Sequence, residues 1–184
     1  MNCPDLIRAN LSFTMMIDFN NIQSIKDYLE SLVKLQKLND RLPKEKYISI
    51  FDFILQNGQE CFPQEFNFEL YPHVPRTKRE CFRNAYHLAE MHDLIYVEGI
   101  ANDIIPVQHA WCVDINCNVI DPTWDHPETC SYFGVLFDLS FVSKTIFKRR
   151  MFGVIDNVEH RFPLLTGKHL DFKYKINKNE SGKI

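Results

Sequence analysis

The chain order of three side chains limits most sharply what this sequence can become. Cys81 lies in Arg79-Glu80-Cys81-Phe82-Arg83-Asn84-Ala85-Tyr86, which reads as the start of a helix. His109-Ala110-Trp111 follows in a stretch with strand character, and Asp121-Pro122-Thr123-Trp124 in the next one. A fold that sets a helix start against two neighbouring strands brings a thiol, an imidazole and a carboxylate together. A helix N-terminus offers unpaired backbone N–H groups and a partial positive charge, both of which favour a thiolate. The imidazole takes the thiol proton, and a carboxylate on its far nitrogen fixes the tautomer.

The periodicity around these residues predicts an α+β domain. Apolar residues recur at helical spacing from Ile22 through Ile25, Leu29 and Leu32 to Leu38, so a helix is expected from a cap at Asn20 or Asn21 to about Asn39. A second is expected from Pro43, a residue suited to a first helical turn, to a stop at Asn57-Gly58. The segment 59–78 reads as an aromatic loop, with Phe62, Phe66, Phe68 and Tyr71 among its prolines. The central helix is expected from Lys78 or Arg79 to about His92. Strands follow at 94–99, 107–114, 118–123 and 132–137, and a last helix falls within 138–155. Ahead of all these, Leu11, Phe13, Met15, Ile17 and Phe19 alternate like an edge strand or an extended arm. A run of helices followed by a run of strands is the pattern of an α+β fold.

Composition narrows the function classes. A chain of 184 residues with 45% apolar and 13% aromatic content can bury one good core and is short for two. One domain is expected over 1–167, with a helical part at 1–60, a core at 76–137, and a polar tail at 168–184. A net charge of −3 gives no global attraction for nucleic acid or an anionic membrane. No stretch approaches the roughly 20 apolar residues of a membrane helix, and the first residues lack the pattern of a secretory signal. A cytoplasmic setting with reduced cysteines is therefore expected.

Strand register decides whether Asp121 can serve His109. Side chains two apart share a face, so His109, Trp111 and Val113 point one way. With a three-residue loop at Ile115 to Cys117, residue 114 faces 118 and Asp121 lies diagonally from His109 on the same face. A two-residue turn at Asn116-Cys117 would shift the register by one and turn Asp121 away. Asp114 is a poorer partner, because five residues along one strand is about 16 Å and lands on the other face. A zinc site built from His109, Cys112 and Cys117, with His126 and Cys130, is the other chemical reading. Alternation opposes it, since Cys112 and His109 face opposite ways.

Cys81 on a helix, His109-Ala110-Trp111 on a strand and Asp121-Pro122-Thr123-Trp124 on the next resemble the transglutaminase-like core of the papain-like superfold. The resemblance covers Cys81 to Phe137, about one third of the chain. It implies a nucleophile helix packed on an antiparallel sheet, here with N-terminal helices added. It also implies catalytic roles for Cys81 as nucleophile, His109 as base and Asp121 as orienter, with no cofactor and no metal. The pattern departs from common members at the nucleophile, where Arg79-Glu80-Cys81-Phe82 replaces a Gly-x-Cys-Trp type surround. The implied activity is acyl transfer or amide hydrolysis on a protein, peptide or small amide or ester. Trp111, Trp124, Gln108 and Arg79 are the expected substrate neighbours. Gln108, Gln59 and Gln64 are candidates to assist the Cys81 N–H at an oxyanion, and Tyr96 and Glu98 to shape the pocket. Arg76, Lys78 and Arg79 place positive charge near the thiol. The alternative is a non-catalytic protein-binding module that presents the aromatic loop 62–71.

Overall fold

A computed structural model describes residues 24–38, 45–157, 161–168 and 171–174. The arm expected at 11–19, the caps at Asn20 and Asn21, the start at Pro43 and the end of the tail lie outside these residues. Four α-helices and one antiparallel sheet of five strands make up the described chain: a mixed α+β fold.

Helix α1 spans Ile25–Lys37, and Ser24 caps it by accepting from the Asp27 N–H at 3.1 Å. Helix α2 spans Ile50–Asn57: Ser49 caps it, and 45–49, expected to be helical, is a series of bends. Strand β1, Gln59–Cys61, was not expected; it pairs with the strand over Ser131–Phe137, labelled β5 below. Helix α3 spans Cys81–His92 and starts later than the periodicity suggests. Arg79 adopts a left-handed backbone (φ 67°), which no right-handed helix can include, so Cys81 becomes the first helical residue.

Strands β2 (Ile95–Asn102) and β3 (Pro106–Val113) form the central hairpin, β4 is only Val119–Ile120, and β5 is Ser131–Phe137. The sheet order is β1-β5-β2-β3-β4, antiparallel throughout. Helix α4 spans Leu139–Arg149, capped by Asp138 and ended by Arg150 in the left-handed region (φ 57°).

The two sheet faces carry separate cores. On one, Tyr96, Ile100, Ala110, Cys112 and Val135 pack against Ala85, Leu88 and Ala89 of α3, and α1 and α2 adjoin the same core. On the other, Ile95, Val97, Trp111, Val113, Val119 and Tyr132 pack together. Among the described residues no helix is long and apolar enough to cross a membrane.

Candidate active site

The hairpin between β3 and β4 has the three-residue loop. Val113 faces Val119 and Cys112 faces Ile120, which puts 114 opposite 118. The Asp114 N–H donates to the Asn118 carbonyl, the Cys117 N–H donates to the Asp114 carbonyl, and Cys117 takes the left-handed conformation (φ 63°). Asp114 itself is spent on this loop, where it accepts from the Asn116 and Asn118 N–H groups and the Asn118 side chain. Asp121 is therefore the carboxylate that meets His109.

The two form a fully buried pair, with Nε2 of His109 2.7 Å from Oδ2 of Asp121. The carboxylate is further held by the Thr123 N–H at 2.8 Å on Oδ1 and the Tyr132 hydroxyl at 3.1 Å on Oδ2. A buried carboxylate is costly unless its oxygens are satisfied, and three donors meet that demand. Burial alone would lower the His109 pKa. The hydrogen bond to Asp121, then the contact with Cys81, outweigh it and raise the pKa from 6.5 to about 9. Since Nε2 is taken by Asp121, Nδ1 is the nitrogen left for the Cys81 thiol.

Cys81 is buried, retaining 9% of its surface, at the first position of α3. Its helix start differs from the other three. Ser24, Ser49 and Asp138 each cap their helices by accepting backbone N–H groups, whereas Glu80 makes no such bond. The first-turn donors around the thiol are left without a side-chain acceptor from the cap residue, an arrangement that suits an anion. Glu80 pairs instead with Arg83 at 2.8 Å.

Asn84 and Tyr132, to which the sequence assigned no role, and Arg76, expected near the thiol for its charge, support this arrangement. Asn84, fully buried one turn into α3, donates to the Thr77 carbonyl at 2.9 Å and to Oγ1 of Thr123 at 3.1 Å. It thus ties the nucleophile turn to the residue whose N–H holds Asp121. Tyr132 reaches the same carboxylate from β5. Arg76, expected to act on the thiol by charge, donates from Nε to the Pro122 carbonyl at 3.1 Å, and its guanidinium lies 4.0 Å over the Phe68 ring. Only Asn84 and Tyr132 carry a side-chain signal in sequence, and it is faint: a polar residue on the inward face of its element.

Comparisons with known proteins give no match. No family model, no curated protein and no solved structure matches the chain.

The four expected substrate neighbours separate. Trp111, expected along a cleft, is fully buried in the second core and cannot line an open site; strand alternation places it there, against Tyr132 (5.1 Å between ring centres). Trp124 is half-buried and stacks on the His109 ring at 4.4 Å and 20°, so it shields the pair and lines a cleft of about 680 Å³ with Ile105 and Val107. Gln108 is exposed and shares a narrow slot with Phe82, Gly99 and His109. Arg79 is exposed, two residues before Cys81. Gln59, weighed for the oxyanion, is on β1 and donates to the Cys117 sulfur at 2.8 Å.

Of Tyr96 and Glu98, expected to shape the pocket, Glu98 lines the slot beside His109, and both also serve the scaffold. The buried Glu98 carboxylate accepts from the Tyr96 hydroxyl (2.7 Å) and from the N–H groups of Val154 (2.6 Å) and Ile155 (2.9 Å). Cys112 lies on the face away from His109 and donates to the Ala85 carbonyl at 3.1 Å. Among the described residues no three His, Cys, Asp or Glu side chains gather as metal ligands.

Proposed function

We propose that this chain is a cysteine-dependent acyltransferase or amide hydrolase, with Cys81 as nucleophile, His109 as proton carrier and Asp121 as orienter, on a papain/transglutaminase-like arrangement. The observation that carries the reading is the buried His109–Asp121 pair, with its imidazole against a thiol at an uncapped helix start. A buried imidazole oriented by a carboxylate and set beside a thiol is the arrangement a proton carrier needs.

In the proposed reaction the Cys81 proton passes to Nδ1 of His109, giving a thiolate–imidazolium pair. The sulfur attacks the carbonyl carbon of an amide or ester, an S–C bond forms, and the carbonyl electron pair moves to oxygen. The Cys81 N–H meets that oxyanion. The carbon–leaving-group bond then breaks as the leaving amine or alcohol takes the proton from His109. Water or an amine next gives a proton to His109 and attacks the thioester, which breaks the C–S bond and frees Cys81. Tyr132 and Thr123 hold Asp121, and Trp124 keeps water from the imidazole.

A second reading, a non-catalytic binding module, draws on the burial of Cys81 and on the aromatic loop, where Phe62 (57%), Phe68 (52%) and Leu70 (64%) are exposed. Thiol labelling separates the two. Burial pushes the Cys61 thiol up to about 12 and raises the thiols of Cys112, Cys117 and Cys130. Iodoacetamide at mildly acid pH, read by peptide mass spectrometry, is expected to modify Cys81 ahead of these four, and His109→Ala to abolish that preference. Equal labelling of all five would leave the binding module.

A further inference from the structure

The segment after α4 carries a second feature with its own chemistry. A cavity of about 590 Å³ opens between α4 and the segment that follows it, within the size range of small-molecule sites. Lys144 and Lys148 stand one helical turn apart on its α4 wall, Arg149 lies beside them, and Arg161 faces them from the following segment. The described lining residues include no carboxylate. Val154 and Leu164, both buried, give it an apolar floor.

This charge is arranged against the chain's own preferences. The chain is net negative, yet four cations meet around one hollow. Like charges at i,i+4 on a helix repel, and among the described residues Lys144, Lys148 and Arg161 form no ion pair. The wall is also braced. Arg149 donates to the carbonyls of Gly153 (2.5 Å) and Asp156 (2.8 Å), and the Val154 N–H is held by Glu98. Arg149 thus braces the wall, and its charge also acts on the buried Glu98 carboxylate, so Lys144, Lys148 and Arg161 are the cations for a ligand at a wall held in place before it arrives.

We infer that this cavity binds a small molecule carrying a phosphate group on an apolar or ring-containing body, the phosphate meeting Lys144, Lys148 and Arg161 and the body resting on Val154 and Leu164. A dianion relieves the repulsion among the cations, and guanidinium and ammonium groups together suit phosphate oxygens. The apolar floor calls for more than a free inorganic ion. The inference is independent of the acyl-transfer reading, since none of these five residues lines the slot beside His109.

The test is calorimetric titration of the full chain with phenyl phosphate, inorganic phosphate and benzyl alcohol, alongside vesicles of anionic lipid. Phenyl phosphate is expected to bind saturably and to weaken as salt rises. Inorganic phosphate is expected to bind at least about tenfold more weakly, and benzyl alcohol weakly or not at all. Lys144→Gln with Lys148→Gln, both exposed, is expected to weaken phenyl phosphate at least about tenfold while the thermal unfolding midpoint and Cys81 labelling stay unchanged. Arg161→Ala is a second, independent variant with the same expected effect. Three results would overturn the inference: no saturable binding, equal binding by the variants, or vesicle binding without phenyl phosphate binding, which would place a membrane headgroup there instead.

Discussion

Asp121→Asn is the substitution whose consequences the geometry specifies most fully. The amide keeps the shape of the carboxylate and removes the charge that holds the imidazolium. Burial, which lowers the His109 pKa, then acts with only the weaker Cys81 contribution against it, so the pKa falls from about 9 to 6.5 or below. That difference corresponds to about 3 kcal/mol of imidazolium stabilisation. The folded-state pKa is raised in the native protein, so this stabilisation is fully present below 6.5 and disappears as pH rises through about 9. Urea unfolding of both proteins at about pH 6 and about pH 10 should therefore give a stability gap that narrows by about 3 kcal/mol at the higher pH. Groups that titrate alike in both proteins cancel in that difference. The amide nitrogen can donate to Nε2 of a neutral His109, which moves the ring proton to Nδ1, where it blocks transfer from the thiol. Labelling of Cys81 at mildly acid pH should then lose its preference. A gap of equal size at both pH values, or a native His109 resonance that titrates near 6.5, would refute the reasoning.

Three further substitutions probe the supports. Tyr132→Phe removes one of the two donors to Oδ2 of Asp121, should cost about 1 kcal/mol, and should raise the His109 pKa further because the carboxylate becomes a stronger acceptor; chemical denaturation and NMR titration measure the two effects. Asn84→Ala leaves Thr77 and Thr123 without their shared partner and should cost about 2 kcal/mol and slow Cys81 labelling, whereas a helix merely packed on the sheet would lose stability without the labelling change. Gly134→Ala would bring a methyl group within 2.7 Å of both the Trp111 ring and Val97, and should lower stability by about 1–3 kcal/mol in thermal or urea unfolding.

How far the sequence could be read follows from the range of the interactions concerned. Local signals were legible. The alternation that puts His109, Trp111 and Val113 on one face could be read, but whether Asp121 shares that face depended on a loop length that the sequence left open, and the left-handed residue that sets it is Cys117. The helical period around Phe82, Ala85 and Ala89 located α3. Its start was misjudged because nothing in Lys78-Arg79 announces a left-handed residue. The strand expected at 118–123 shrinks to two residues, since Pro122 has no N–H for the ladder and Asp121 captures the Thr123 N–H. Non-local order was not legible. Tyr132 can reach Asp121 only because β5 lies beside β2, where Tyr132 faces the small Ala101, and no local pattern states that order. Trp111 and Trp124 look alike in sequence. One lies inside a strand and is buried, the other follows a strand end and covers the histidine.

The two faces of the sheet raise the question of how a helix on one side can serve a histidine on the other. Helix α3 packs on the face of Ala110 and Cys112, whereas His109 points to the face of Trp111 and Tyr132. The answer lies in what stands next to His109. Its partner across the ladder is Gly99, whose own partner on β5 is Gly134, so two successive positions in that row carry no side chain. Phe82, directly after the nucleophile, lines one slot with Gly99 and His109, and so the start of α3 reaches the imidazole at that slot. A Cβ at Gly99 would collide with the backbone of Phe133 and Gly134, and one at Gly134 with Trp111, so neither position tolerates a larger residue without moving β5. The glycine pair thus serves the packing of the row that carries His109: it lets β2 and Trp111 lie close against β5, from which Tyr132 reaches Asp121.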